Sequence, residues 1–366
     1  MTERFTSLIL NSKVYTENQL HQLALNKLSV KSLKAWKKTL YQFILEWNSD
    51  NPSVKIKTSG STGTPKWIDI PKEKMIKSAL ITGEFFNLQK GDKTLLCLST
   101  DFIAGKMMVV RAFIFGLNLI PVKPSGNPLK NIDDEFDFVA MTPMQVYNIL
   151  IEINGIQKLN RIKNLIIGGG ELNFSLKQKI RKLNNNTYHT YGMTETITHV
   201  ALKKLSGPDT DNYFKALKEI WFEKDKRGCL VVIAPHLSDK KFVTNDLIDL
   251  KNDKEFEFTG RYDNVINSGG IKISPEKIEQ KLEPFVLQRF FIAGIPDEKF
   301  GERAVLIIEG TKSSLSDFEE IILKSGLSKY EIPKQIFYVD CFSETENGKI
   351  IRKETLNKAI SKDFSG

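Results

Sequence analysis

Cysteine is scarce in this chain. Cys97, Cys229 and Cys341 are its three, far apart, at no metal-binding spacing and each among apolar neighbours. That pattern excludes a disulfide-stapled scaffold and a thiolate zinc site, and it reads as buried free thiols in a reducing compartment. Long apolar runs are missing too. The longest, residues 109–122, is interrupted by Arg111, Asn118 and Pro121 and is too short to cross a bilayer. The amino terminus, Met-Thr-Glu-Arg-Phe-Thr, lacks the basic-then-apolar layout of a secretion signal. Internal repeats, low-complexity segments, a Walker-type Gly-Lys-Ser/Thr loop and any RNA- or DNA-binding motif are absent as well. A cytoplasmic protein is expected, with no nucleic-acid partner and no membrane insertion.

What is present is a chain of 366 residues, long enough for two or three domains and a large core. Its 41% apolar and 27% charged content is that of a globular protein. The net charge of +9 is spread along the chain instead of blocked, which suits small anionic molecules as well as it suits nucleic acid.

The densest chemistry lies in residues 58–66, Thr-Ser-Gly-Ser-Thr-Gly-Thr-Pro-Lys. Alternating polar and apolar residues on either side, 53–57 and 67–70, predict flanking strands. Thr58, Ser59, Ser61 and Thr62 supply hydroxyls, Gly60 and Gly63 allow close backbone approach, and Lys66 adds a cation at the rim. A polyphosphate needs that mixture. A solvated hairpin turn is the plain alternative.

The first 50 residues read as short polar segments and one helix, in which Leu33, Trp36, Leu40, Phe43 and Trp47 recur at helical spacing. Beyond the loop, strands and helices alternate to about residue 190, which predicts a mostly parallel α/β sheet. In Asp101–Leu117, Arg111 sits within an apolar run that also holds Lys106. Snorkelling to the surface, or pairing with an internal carboxylate, is the structural reading of Arg111; a clamp for a substrate carboxylate is the functional one.

Residues 165–171, Leu-Ile-Ile-Gly-Gly-Gly-Glu, predict a strand entering a glycine turn, where Gly168, Gly169, Gly170 and Glu171 leave room for a flat ring. Soon after, Tyr191, Thr194 and Glu195 offer an aromatic face, a hydroxyl and a carboxylate within five positions, as a nucleotide with Mg²⁺ requires. His189 and His199 flank that segment and read as structural. Short strands follow from about Tyr213, with Asn245-Asp246 in one of them, then Arg261, Tyr262 and Asp263, where a polar crossing leads into a compact α+β tail. Near the end, Lys349 sits on a glycine turn, Glu-Asn-Gly-Lys.

In their order, from about residue 54 to the end, these stretches resemble the adenylate-forming superfamily of acyl-CoA and aryl-CoA ligases, luciferases and peptide-synthetase adenylation domains. The resemblance implies a large amino-terminal α/β domain (residues 1–262) with a short β-rich segment, and a small mobile α+β domain (263–366). It implies that residues 58–66 hold the β- and γ-phosphates of ATP, that Gly168–Gly170 and Glu171 border adenine, and that Tyr191 stacks on it. By the same likeness Thr194 bonds the α-phosphate, Glu195 holds Mg²⁺, Asp246 binds the ribose, Arg261 contacts the nucleotide, Asp263 is the hinge and Lys349 the mobile catalytic lysine.

Within the superfamily the likeness is strongest to the o-succinylbenzoate–CoA ligases of menaquinone synthesis. It rests on Ile103, Ala104, Gly105 and Arg111, and on Ser268-Gly269-Gly270 followed by Ile273, Pro275 and Glu279, and it implies that Arg111 and Lys106 bind the substrate acid. The implied partners are an aromatic carboxylic acid, ATP and coenzyme A. Another aryl- or acyl-CoA ligase, and a nucleotide-binding relative without catalysis, are the alternatives; monomer and homodimer both stay open. Three departures stand out. The leader before the loop is shorter than in most of the superfamily, the segment between Glu195 and Asp246 is short too, and Asn245 stands where glycine is usual in the ribose turn.

Overall fold

The computed structural model describes residues 7–57, 67–311, 318–344 and 350–363. They form two compact units, one of residues 1–171, 178–221 and 233–242, the other of 172–177, 222–232 and 243–366.

The first unit is built on strands β1 (Ser7–Leu10), β2 (Lys13–Thr16), helices α1 (Glu17–Leu28) and α2 (Ala35–Asn48), and the hairpin β3 (Ser53–Lys57) and β4 (Trp67–Pro71). Next come α3 (Lys72–Phe86), β5 (Lys93–Leu96), α4 (Ile103–Phe115), β6 (Asn118–Pro121), β7 (Phe136–Met141), α5 (Pro143–Leu150), α6 (Gly155–Asn160) and β8 (Ile162–Ile167). Helix α7 (Phe174–Ile180) is divided between the two units, and β9 (Asn186–Gly192), β10 (His199–Lys204) and β11 (Phe214–Ala216) complete the first. In space the strands run β2-β1-β6-β5-β7-β8-β9-β10-β11. Every pairing from β1 through β9 is parallel, and β2, β10 and β11 join antiparallel. The expected parallel α/β core is therefore present. Its central strands are apolar on both faces, as burial under helices on two sides demands: Phe138, Val139, Leu165 and Ile167 are all fully buried.

Helix α2 follows its sequence period, with Leu40, Phe43, Ile44 and Trp47 buried on one face. Helix α4 has no polar face. Gly105 through Phe113 are buried without interruption, Lys106 and Arg111 among them, so this helix runs through the core. It stops at Gly116, which takes the left-handed conformation (φ 63°) that lets the Leu117 N–H reach back to the Ala112 carbonyl. Among the described residues no helix is long and apolar enough to cross a membrane.

The second unit begins with four strands in sequential order, β12 (Trp221–Lys224), β13 (Cys229–Ile233), β14 (Phe242–Asn252) and β15 (Glu255–Arg261). Then come β16 (Ile266–Ser268), β17 (Ile271–Ile273), α8 (Pro275–Leu282), β18 (Phe290–Asp297), β19 (Gly301–Glu309), α9 (Phe318–Ser325), β20 (Ile336–Val339) and α10 (Arg352–Asp363). Strand β19 is buried on both faces. Ala304, Leu306 and Ile308 pack in one cluster with Ile278 of α8 and Ile321 of α9, while Val305 and Ile307 pack in another with Ala359 of α10.

One expectation fails. Cys97 and Cys229 are buried, and burial pushes the Cys97 thiol up to about 12, but Cys341 is exposed. It follows the last residue of β20 by two positions, where the chain has already left the sheet, so the apolar character of its neighbours serves them and not the thiol.

Candidate active site

Glycine and aromatic elements meet at the carboxyl ends of two adjacent parallel strands, the place where open α/β sheets bind ligands. Strands β8 and β9 pair Ile167 with His189. The chain leaves β8 through Gly168–Gly170. A Cβ on Gly168 would lie 2.3 Å from Thr190 Oγ1, and Gly169 has φ 86°, so both positions require glycine. His189 Nε2 lies 3.3 Å from the Gly170 carbonyl oxygen and ties the turn to β9. The Tyr191 ring meets Phe214 edge-on at 5.8 Å.

Directly after β9, Thr194–Thr196 form one 3-10 turn. Thr196 Oγ1 donates within this loop and accepts from the Met193 N–H at 3.0 Å, closing it. The next residue, Ile197, has φ 67° and ψ −56°, and the Thr198 N–H reaches the Thr196 carbonyl at 2.7 Å. That is a γ-turn of the strained kind, at a β-branched residue. Strain of this sort persists where the surroundings over-determine it, and here it sets the exit of the turn that carries Thr194 and Glu195. Glu195 is exposed, and among the described residues no group of three histidine, cysteine, aspartate or glutamate side chains could hold a metal alone. A lone carboxylate on a rigid turn fits Mg²⁺ arriving with a triphosphate, because this ion takes one or two carboxylates plus phosphate oxygens and water.

The first unit also holds the candidate acid-binding arginine. Arg111 is 2% exposed. It has not snorkelled, and among the described residues it meets no carboxylate. Its Nη2 lies a long 3.5 Å from Thr82 Oγ1, its Nη1 3.7 Å from Met108 Sδ, its guanidinium 5.8 Å from the Phe138 ring centroid, and its Nε has no partner. Burial pushes its pKa down to about 9, which leaves it a cation at neutral pH. Among the described residues, neither structural reading of this arginine holds. Lys106, five residues earlier, is held differently: its ammonium pairs with Glu46 at 3.2 Å and lies 4.4 Å from the centre of the Phe43 ring. Glu46 also accepts from the Lys55 N–H of β3 at 3.0 Å, so one carboxylate links α4 to the hairpin that brackets residues 58–66.

In the second unit, three of the expected residues form one cluster. Arg261 Nη1 bonds Asp246 at 2.6 Å and its Nη2 lies 3.3 Å from Asp263. Partial burial works against the Arg261 charge, but Asp246 and Asp263 outweigh it and raise its pKa. Asn245, the departure from glycine, is a working member: its amide donates to both Asp263 oxygens at 3.2 Å and accepts from Arg227 at 2.9 Å. Arg227 and Thr82 were not singled out by sequence, and His199 was read there as structural. The available signal for Thr82 was a pair of hydroxyls, Ser78 and Thr82, one turn apart on the apolar side of α3.

Thr58, Ser59, Gly60, Ser61, Thr62, Gly63 and Lys66 lie outside the described residues, and so does Lys349. Their borders are described. Strands β3 and β4 pair antiparallel up to Lys57–Trp67, as the alternation predicts, and Glu344 bridges Ile350 across the segment that carries Lys349.

A model of the AMP-binding enzyme family matches residues 9–217. The chain belongs to that family. Among AMP-binding enzymes of known structure, an acyl-CoA synthetase (AMP-forming)/AMP-acid ligase II-like protein from Dyadobacter fermentans DSM 18053 is 34% identical, with a TM-score of 0.62 over 93% of this chain and 98% of that one. The 2-succinylbenzoate–CoA ligase of Listeria monocytogenes serovar 1/2a is 25% identical over 84% of this chain and 70% of its own length. The o-succinylbenzoate–CoA synthetase of Bacillus subtilis, solved with its acyl-adenylate intermediate, shares the fold at a TM-score of 0.68 and 20% identity, over 82% of this chain and 68% of that one.

Proposed function

We propose that this AMP-binding enzyme is an acid–thiol ligase that adenylates o-succinylbenzoate with MgATP and passes the acyl group to coenzyme A, a step of menaquinone synthesis. The observation that carries the choice of acid is Arg111, a buried cation that meets no carboxylate among the described residues and is suited to a substrate's second carboxylate. The 2-succinylbenzoate–CoA ligases among its relatives support the same acid.

In this reading one substrate carboxylate attacks the α-phosphorus of ATP, the bond to the β-phosphate oxygen breaks, and pyrophosphate leaves. The coenzyme A thiol then attacks the acyl carbonyl and AMP departs. Two anions meet in the first step, so the site must neutralise charge as it develops. Thr58 to Lys66 receive the β- and γ-phosphates, Thr194 the α-phosphate, and Lys349 the oxygens at the reacting centre. Bound at Glu195 and the phosphates, Mg²⁺ would draw charge from the triphosphate. Gly168–Gly170, Glu171 and Tyr191 border adenine, Asp246 and Arg261 take the ribose side, and Lys106 braces the pocket beside Arg111. Residues 263–366 turn about Asp263 between the two steps, withdrawing Lys349 after adenylation.

The test is pyrophosphate release from ATP in the presence of o-succinylbenzoate, followed by capture of the acyl-CoA product. Release with benzoate or a fatty acid but not with o-succinylbenzoate rejects the acid. No release with any acid rejects catalysis.

A further inference from the structure

Around Arg111 the core contains a second polar layer. Thr82, fully buried on α3, donates its hydroxyl proton to the Ser78 carbonyl at 3.1 Å. A hydroxyl has one proton, so its two other contacts are acceptances: from Arg111 Nη2 at 3.5 Å and from His199 Nε2 at 3.2 Å. His199 at the start of β10 is itself buried. Alongside, Ser78 Oγ lies 2.7 Å from Thr198 Oγ1, which fixes the start of β10 against α3. Thr82 is thus the one oxygen that Arg111 meets among the described residues, and His199 is the group that holds Thr82 from the other side.

The charges demand this arrangement. A guanidinium with no carboxylate beside it tolerates only neutral neighbours, and a protonated imidazole sharing its hydroxyl would repel it. Burial, and after it the Arg111 charge, hold the His199 pKa well below its ordinary value, so the ring stays neutral and donates from Nε2. The guanidinium keeps most of its donors unspent while its direction is set.

We propose that Thr82 and His199 are positioning residues for Arg111, which aim the guanidinium and so determine the preference for an acid with a second carboxylate. The proposal rests on the reading of Arg111 as a carboxylate clamp. Thr82 and His199 touch the clamp and not the reacting atoms, so their effect belongs in KM for the diacid and in no other constant.

Steady-state pyrophosphate release is measured at saturating ATP with two acids: o-succinylbenzoate, and 4-oxo-4-phenylbutanoate, which differs only by lacking the ring carboxylate. Thr82→Val, nearly the same shape without the hydroxyl, raises KM for the diacid about tenfold, the worth of one hydrogen bond to a charged group, and leaves KM for the monoacid in place. Thr82→Ser restores the diacid KM. His199→Leu follows Thr82→Val, and His199→Gln, which keeps a donor, follows the wild type. Equal rises for both acids, or no rise for either, overturn the proposal. Should Thr82→Val fail to fold, the contrast of His199→Leu with His199→Gln decides by the same criterion. Arg111→Met in this assay separates the two levels. If it abolishes the diacid preference while Thr82→Val keeps it, only the positioning role falls; if Arg111→Met keeps the preference, the clamp falls and the positioning role with it.

Discussion

Two arginines, Arg111 buried in the first compact unit and Arg352 partly buried in the second, are treated in opposite ways. Arg352, at the start of α10, forks onto Glu279 of α8 with bonds of 2.7 and 2.9 Å, and Glu279 also accepts from the Ile292 N–H at 2.7 Å. Burial raises the Glu279 pKa although the Arg352 guanidinium opposes it, so the pair is costly to desolvate and is repaid by geometry. It pins α10 to α8 and to the edge of β18. Arg111 has no such fork, only a distant hydroxyl, a thioether and a ring. A charge that serves the fold is neutralised within the fold. On the proposed reading of Arg111 as a carboxylate clamp, a charge kept for a ligand is left underbonded, and the protein bears the cost in stability.

The comparison breaks or sharpens through measurement. The largest effect is expected from Glu279→Leu, which removes the carboxylate beneath the partly exposed Arg352 and lowers stability in urea by roughly 1–3 kcal/mol; adding Arg352→Met recovers part of it. Arg111→Met should do the reverse, raising stability by about 0.5–2 kcal/mol, while KM for o-succinylbenzoate rises about 100-fold and KM for ATP holds. If Arg111→Met destabilises as Glu279→Leu does, the contrast is wrong and Arg111 is structural.

A pH titration of stability is the subtler test. His199 is neutral when folded, its pKa held below 6.5 first by burial and then by Arg111. Between that depressed value and 6.5 the unfolded chain binds the extra proton, so stability is lost as pH falls through 6.5. Thermal melts from pH 7 downward should show this slope, ending at a higher pH in Arg111→Met, where burial alone remains. An end at the same pH would mean that the two groups do not interact. The smallest stability effect is expected at the half-exposed Arg261. Asp246→Asn should change stability by less than about 1 kcal/mol, as paired charges near water do, while KM for ATP rises.

Much of this was legible in residues that act locally. Strands β3 and β4 were readable because alternation is a property of neighbours, and α2 because its apolar residues recur within one helix. Strands β1 and β2 and helix α1 were passed over. The signal for α1 was there, a capping box in which Thr16 and Gln19 exchange hydrogen bonds, but β1 is held by parallel pairing with β6, more than a hundred residues on, which no local pattern announces. Cys341 was misread for the same kind of reason, since exposure depends on what covers a residue and not on its neighbours in the chain.

The sequence by itself determined the order of the nucleotide motifs, the parallel core, and the oddity of a cation in an apolar helix, because each is carried by residue type and spacing. Only the tertiary structure decided what that oddity means. Whether Arg111 is snorkelled, paired or underbonded is set by Thr82 and Phe138, which reach it from another helix and a strand, and by His199, which holds Thr82 from a second strand. The Coulomb and hydrogen-bond energies that separate these cases act over a few ångströms in space, whatever the distance along the chain.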